Sequence, residues 1–322
     1  MKTDPKAKCT TEEFIKLYTT VGPTELAKRT KQAVRSVMKR RISLEKQFNI
    51  VIKAQEGATS GRPPQAEHPQ RAAVEVKDGI VLVGSDAHIW PGLDSVAMRA
   101  FIQFCKGVDG EKPKAVILNG DVLDFPGVSR HPPIGWETLP AVSDEIEAAK
   151  VTLGKIEAAT FKARKIWTLG NHDARFETRL ATVAPEYAKI HGVHLRDHFP
   201  LWEPCWSAWI NDSTVVKHRF KGGVHAVYNN AVYSGKHILT GHLHSAKVTP
   251  FTDYNGTRYG VDTGCLSSVQ AKAFVDYSED NPKNWISAFA VLTYRDGKLL
   301  WPELVSVYDT ETVQFRGKLL KV

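Results

Sequence analysis

Five short apolar runs along the chain each end on acidic, amide or imidazole side chains. Ile80-Val81-Leu82-Val83 leads into Gly84-Ser85-Asp86-Ala87-His88, and Ala115-Val116-Ile117-Leu118 into Asn119-Gly120-Asp121-Val122-Leu123-Asp124. Ile166-Trp167-Thr168-Leu169 leads into Gly170-Asn171-His172-Asp173. Val215-Val216-Lys217 stops at His218, and Ile238-Leu239-Thr240 at Gly241-His242-Leu243-His244. Short β-rich runs bounded by turn formers predict buried strands. Residues 94–106 and 141–163 look helical instead. Strands alternating with helices predict a layered α/β fold whose strand ends gather side chains at one edge. One such polar cluster fits a plain turn equally well. Five of them predict a shared polar site.

Residues 1–52 follow another pattern. Thr10-Thr11-Glu12-Glu13 fits a capping box, after which Phe14, Leu17 and Tyr18 share a helical face. Val21-Gly22-Pro23 breaks that helix, and Pro23 suits the opening of the next, Thr24 to Thr30. Val34, Val37, Met38 and Ile42 give a third apolar stripe. These three helices predict a small all-α domain. The stretch 53–72, KAQEGATSGRPPQAEHPQRA, reads as a linker that sets His68 apart from any site, leaving 73–322 for the α/β domain.

Charge changes the picture, because it is uneven. Residues 1–53 hold 13 Lys or Arg against 5 Asp or Glu, while the remainder holds 30 of each, so the net +8 sits in the N-terminal segment. Such a segment points to a polyanionic partner. Its three helices resemble a helix-turn-helix module, with Lys31, Gln32, Arg35, Ser36, Lys39 and Arg40 facing outward toward phosphates or base edges. The same basic face could bind a protein. No run approaches the roughly 18 apolar residues of a membrane span, and the start has no apolar leader. Cys9, Cys105, Cys205 and Cys265 stand far apart, which argues against a thiolate metal site and fits reduced cysteines in a cytoplasmic protein.

Carboxylates, imidazoles and an amide carbonyl are ligands for borderline divalent ions such as Mn, Fe, Zn or Ni. With no thiolate pair and no phosphate-cradling glycine loop nearby, a metal centre is the economical reading. In order, Asp86-x-His88, Gly120-Asp121-x-x-Asp124, Gly170-Asn171-His172-Asp173, His218 and Gly241-His242-x-His244 resemble the signature of calcineurin-like metallophosphoesterases. The resemblance spans residues 73 to about 308. It implies a four-layer α/β/β/α sandwich, with Ser287–Tyr294 and Leu299–Tyr308 as closing strands of the second sheet. It also implies two divalent ions, manganese first, with Fe, Zn or Ni as alternatives. Asp86, His88 and His244 would bind one ion and Asn171, His218 and His242 the other, with Asp121 bridging. A hydroxide shared by the ions would attack phosphorus, His172 would protonate the leaving oxygen, and Asp124 would orient His172.

Two departures from the family pattern matter. His218 is followed by Arg219 where the family often has glycine, which leaves His225 as a rival ligand. Phe125-Pro126 follows Asp124 where phosphoprotein phosphatases carry arginine, which argues against protein phosphatase activity. Arg130 or Arg175 could contact phosphate instead. The expected function is a two-metal phosphoesterase acting on nucleic acid, DNA favoured, as a nuclease or end-phosphatase guided by the N-terminal module. One alternative is a small-nucleotide phosphatase or phosphodiesterase with a protein-binding N-terminal module, and another is a non-catalytic DNA-binding protein. The loop Arg130–Leu139 and the segment Leu201–Trp209 are candidates for shaping specificity. Within the latter, Trp202, Trp206 and Trp209 suit base stacking or core packing.

Overall fold

A computed structural model describes residues 9–48, 50–52, 70–130, 136, 138–270, 278–279 and 281–322. The linker stretch 53–69 with His68, and most of the 130–139 loop with His131, lie outside the described residues. The chain separates into two compact units, Met1–Pro69 and Gln70–Val322.

In the first unit the capping box starts helix α1, Thr11–Thr30: the Glu13 N–H donates to Thr10 Oγ1 (3.2 Å) and the Thr10 N–H to Glu13 Oε2 (2.9 Å). Gly22, at φ 75° and ψ 173°, kinks it just before Pro23. Helix α2 spans Val34–Phe48. Phe14, Tyr18, Leu26, Ala27, Val37, Leu44 and Ile52 form a small core. Two expectations need correction. Val34 and Ile42 are exposed, because α2 buries only the narrow stripe of Val37 and Leu44, two turns apart. Arg40 does not face outward: it lies over the Phe14 ring, 4.6 Å from its centroid, and donates to the Cys9 carbonyl at 2.9 Å.

The second unit holds two sheets. One has the order β15-β14-β13-β11-β2-β3-β4-β5, with β12 beside β11. Its parallel centre is β2 (Gly79–Gly84), β3 (Pro113–Asn119), β4 (Arg164–Thr168) and β5 (Glu203–Cys205). The antiparallel extension is β11 (Ala288–Arg295), β12 (Lys298–Leu299), β13 (Glu303–Val307), β14 (Thr312–Phe315) and β15 (Lys318–Lys321). The other sheet runs β1-β6-β7-β8-β10-β9. It comprises β1 (Arg71–Val74), β6 (Ser207–Ile210), β7 (Thr214–Val216), β8 (His237–Thr240), β9 (Lys247–Asp253) and β10 (Gly256–Asp262). Strand β1 thus takes up Arg71 and Ala72, read from sequence as the end of the linker. The run after Ser287 and that after Leu299 do not close the second sheet. They extend the first, because β11 pairs antiparallel with β2.

Period-2 alternation explains why the strands read as unbroken apolar runs: both faces are covered. Ile80, Leu82, Val116, Leu118, Trp167, Phe289 and Val291 face a core shared with helices α3 (Val96–Cys105) and α4 (Val142–Ala159). Their neighbours Val81, Val83, Ala115, Ile117, Ile166, Ala290 and Leu292 meet Ala208, Ile210, Val216, Leu239 and Val261 of the other sheet. Helices α5 (Asp173–Val183) and α6 (Leu195–His198) follow β4, and α7 (Ala226–Ser234) packs on β8, β9 and β10. All four cysteines are free thiols. Among the described residues no helix is long and apolar enough to cross a membrane.

Candidate metal centre

Strands β2, β3 and β4 of one sheet and β7 and β8 of the other end at the same place, so the five polar segments form one cluster. Backbone hydrogen bonds stitch the first two together: the Asp86 N–H donates to Gly120 O (2.9 Å) and the His88 N–H to Asp121 O (3.0 Å). Asp86, His88, Asp121, His242 and His244 all adopt left-handed backbone, φ 41–69°. Non-glycine residues avoid that region unless their surroundings impose it, and such positions gather at functional sites. Two glycines are required for space. A Cβ on Gly170 would lie 2.0 Å from Asp121 Oδ1, and one on Gly241 2.4 Å from Asp86 Oδ2.

The ligand atoms fall into groups. Asp86, His88 and His244 offer three atoms within 4.8 Å of one another, as do Asp121, His218 and His242. His88, Asp124 and His172 form a third such group, sharing His88 with the first. Asp86 Oδ1 lies 3.0 Å from His244 Nε2, 3.9 Å from His88 Nε2 and 4.0 Å from His218 Nε2. Asp121 Oδ2 lies 3.0 Å from His218 Nε2 and 3.9 Å from His172 Nε2. His225 is exposed at the start of α7, so His218 is the histidine that reaches the cluster.

Three rings are aimed by their outer nitrogens. His218 Nδ1–H donates to Asn119 O (2.8 Å), and Asp124 Oδ1 takes both His88 Nδ1 (3.1 Å) and His172 Nδ1 (2.5 Å). Fixing Nδ1 outward fixes the tautomer and turns Nε2 inward, as metal-binding imidazoles require. Burial alone would raise the pKa of Asp86, yet the adjacent His244 and His218 hold it well below the usual range. Burial lowers the pKa of His218, but Asp86 and Asp121 outweigh it and push it up to about 9. Two buried carboxylates thus draw a proton onto His218. A site that attracts protons so strongly also attracts cations, which displace those protons on binding.

The donor set could hold divalent metal. Asn171 Oδ1 is a buried acceptor without a hydrogen-bond partner, and such a group is costly unless something satisfies it. Asn171 is flanked by Gly170, pressed against Asp121, and by His172, whose N–H donates to Asp121 Oδ1 (2.8 Å). Carboxylate oxygen, neutral imidazole and amide oxygen together suit Mn, Fe, Zn or Ni.

The two candidate phosphate contacts differ. Arg175 donates to Asp124 O (2.8 Å) and sits 3.1 Å from His172 Nε2. Arg130 is exposed, and among the described residues no hydrogen bond or ion pair joins it to the cluster. Of the three tryptophans, Trp202 is buried and bonded to Glu157, and Trp209 lies under Arg71. Trp206 is 45% exposed.

The main residue that sequence reasoning leaves without a role is Asp173. It is buried, and its carboxylate accepts N–H bonds from Asp121, Val122, Leu123, Gly170 and the Trp167 indole at 2.9–3.2 Å. Burial and the charge of Asp121 push its pKa up, but five N–H donors and no acceptor require the ionised form. Its place in the Gly-Asn-His-Asp block is visible in the sequence, whereas its partners, some fifty positions earlier, are not. Asp262, at the end of β10, likewise holds Ser245 and Gly264 beside the His244 loop.

No family profile matches the chain, and no curated protein matches it. The solved structures it is similar to include Vps29 from Entamoeba histolytica complexed with zinc, at 13% identity and a TM-score of 0.38, covering 75% of this chain and 98% of that one. Vps29 from Chaetomium thermophilum matches at 9% identity and a TM-score of 0.38, covering 76% of this chain and 97% of that one. At these scores the likeness carries no argument about function.

Proposed function

We propose that residues 70–322 form a calcineurin-like metallophosphoesterase domain that hydrolyses phosphate esters with two divalent ions, manganese first, and that its substrate is nucleic acid. The observation that carries this reading is the pair of buried carboxylates, Asp86 and Asp121, ringed by inward-turned imidazole Nε2 atoms beside the unpartnered Asn171 oxygen. Helices α3 and α4 on one sheet, the sheet-to-sheet core and α7 on the other sheet support the four-layer α/β/β/α arrangement.

Asp86, His88 and His244 would hold one ion, Asn171, His218 and His242 the other, with Asp121 between them. Bound ions of this kind lower the pKa of water toward neutrality and offset charge on phosphoryl oxygens. The chain's own residues do the rest. Burial lowers the pKa of His172, but its bond to Asp124 and the charge of Asp121 outweigh that and raise it, as suits a proton donor to a leaving oxygen. Arg175 covers His172 Nε2. A substrate phosphate that draws the guanidinium away would free that nitrogen to carry the proton.

The positive charge concentrated in residues 1–53 supports nucleic acid as partner, with Lys31, Gln32, Arg35 and Lys39 as the contacting side chains of a helix-turn-helix-like domain. The purified chain, offered oligonucleotides, mononucleotides and cyclic nucleotides with Mn, Mg, Zn or Ni, should cleave oligonucleotides fastest. Arg35→Glu with Lys39→Glu should slow that cleavage and spare mononucleotide hydrolysis. Equal turnover of mononucleotides and oligonucleotides would favour the small-nucleotide alternative.

A further inference from the structure

We propose that the cavity beside His218 and His242 receives the nucleotide flanking the scissile phosphate of a single-stranded polynucleotide. This rests on the phosphoesterase reading above and names the substrate class of that same centre. The cavity has a volume of about 470 Å³, within the range of small-ligand sites. Its wall runs from His218 and His242 to Lys217, Arg219, Lys221, Trp206 and Phe220, and among the described residues no acidic one lines it. Lys217, Arg219 and Lys221 form no ion pair among the described residues. Three cations beside a metal-type cluster, in no ion pair with a described carboxylate, ask for an anion.

Phosphate alone does not account for the aromatic rings. Trp206 is 45% and Phe220 42% exposed, and Lys221 Nζ lies 4.9 Å from the centroid of Tyr233 and 5.7 Å from that of Phe220. Cationic side chains interleaved with aromatic faces are the arrangement that holds unpaired nucleotides, the cations taking backbone and the rings stacking on bases. A duplex keeps its bases stacked on one another and offers none to such a wall. The loop carrying the cations is anchored: the Lys217 N–H donates to Leu239 O (3.0 Å), Gly241 N–H to His218 O (3.1 Å), and Lys221 N–H to Asn230 Oδ1 (2.9 Å) of α7. The family-atypical Arg219 after His218 therefore sits where a second phosphate of the strand would lie.

The test is binding of a trithymidylate to the metal-free full-length chain, followed by tryptophan fluorescence and calorimetry, which needs no turnover. Arg219→Ala with Lys221→Ala should weaken binding at least tenfold and reduce the slope of log K against log salt by about 1.4, roughly 0.7 for each phosphate no longer neutralised. Trp206→Ala should weaken it by about 5- to 100-fold, while Trp206→Phe and Arg219→Lys, which keep stacking and charge, retain most of it. Wild-type affinity in both alanine variants would overturn the proposal. So would equal affinity for the base-paired stem of a DNA hairpin, or a loss seen only with Arg35 and Lys39 variants. Failure of the wild type to hydrolyse any ester with any ion would sink the phosphoesterase reading instead, leaving the binding result to judge the cavity.

Discussion

The two halves of the ligand cluster are built differently. Asp86, His88 and His244 are all buried, and the first half is tied down on every side. Asp86 accepts the His242 N–H (2.9 Å) and His244 Nε2–H (3.0 Å), and its carbonyl accepts the Ser267 N–H (3.2 Å). In the second half Asp121 and His218 are buried, but His242 is exposed and the cavity opens beside it. A closed, preorganised ligand set binds an ion tightly and releases it slowly, whereas an open one keeps room for exchange and for substrate. On the proposed phosphoesterase reading, this asymmetry would have one half hold the centre together and the other meet the phosphate.

The largest effect should come from removing what the halves share. Asp121→Asn removes the one carboxylate placed between the two proposed cations, and should cut phosphoesterase turnover on the order of 10³-fold and leave at most one ion bound per chain. Two ions retained by the variant, measured by elemental analysis after dialysis, would break the bridging role. A finer test separates the halves. His244→Ala should abolish the tighter class of metal binding seen by calorimetry, while His242→Ala should weaken only the looser class, by at least about 100-fold. The opposite assignment would invert the comparison.

Asp173 supports both halves through the β3 loop and the β4 turn. Asp173→Asn must set an amide NH2 against N–H donors, leaving buried groups unpaired. It should cost about 3 kcal/mol of stability, read as a shift in urea midpoint at unchanged slope. Such a change in midpoint with no change in ion stoichiometry would confine Asp173 to scaffolding.

Much of this site was legible because strand ends announce themselves. An apolar run buried on both faces cannot be continued by Asp, Asn or His, so the residues at 86, 121, 171, 218, 242 and 244 had to lie at a sheet edge. Sheet membership was not legible, since β11 has the same apolar character whether it borders β2 or the other sheet. Local sequence also hid the partners of Asp173 and the inward turn of Arg40 onto Phe14, because both depend on contacts far along the chain. Nor did the sequence show that Lys217, Arg219 and Lys221 line one cavity, which only the folded chain brings about.

Glu145 gives the most specific test. It lies buried in α4, behind the closed half, and its Oε2 accepts the Phe125 N–H (2.8 Å) next to Asp124, the residue that orients His88. Its Oε1 is buried without a partner. Burial raises its pKa, the Phe125 bond opposes this, the charge of Asp124 adds to it, and the result is a pKa of about 7 against an ordinary 4.5. Between those values the folded chain keeps a proton that the unfolded chain has lost. Stability from this group therefore falls as pH rises through the window, by up to about 3 kcal/mol. Glu145→Gln keeps an oxygen for Phe125 and cannot ionise. Subtracting its urea-unfolding free energies from those of the wild type at successive pH values should give a curve that slopes downward from pH 4.5 to 7 and is flat outside it. A flat difference throughout would mean that the carboxylate is solvated in the folded chain and that α4 does not seal the closed half.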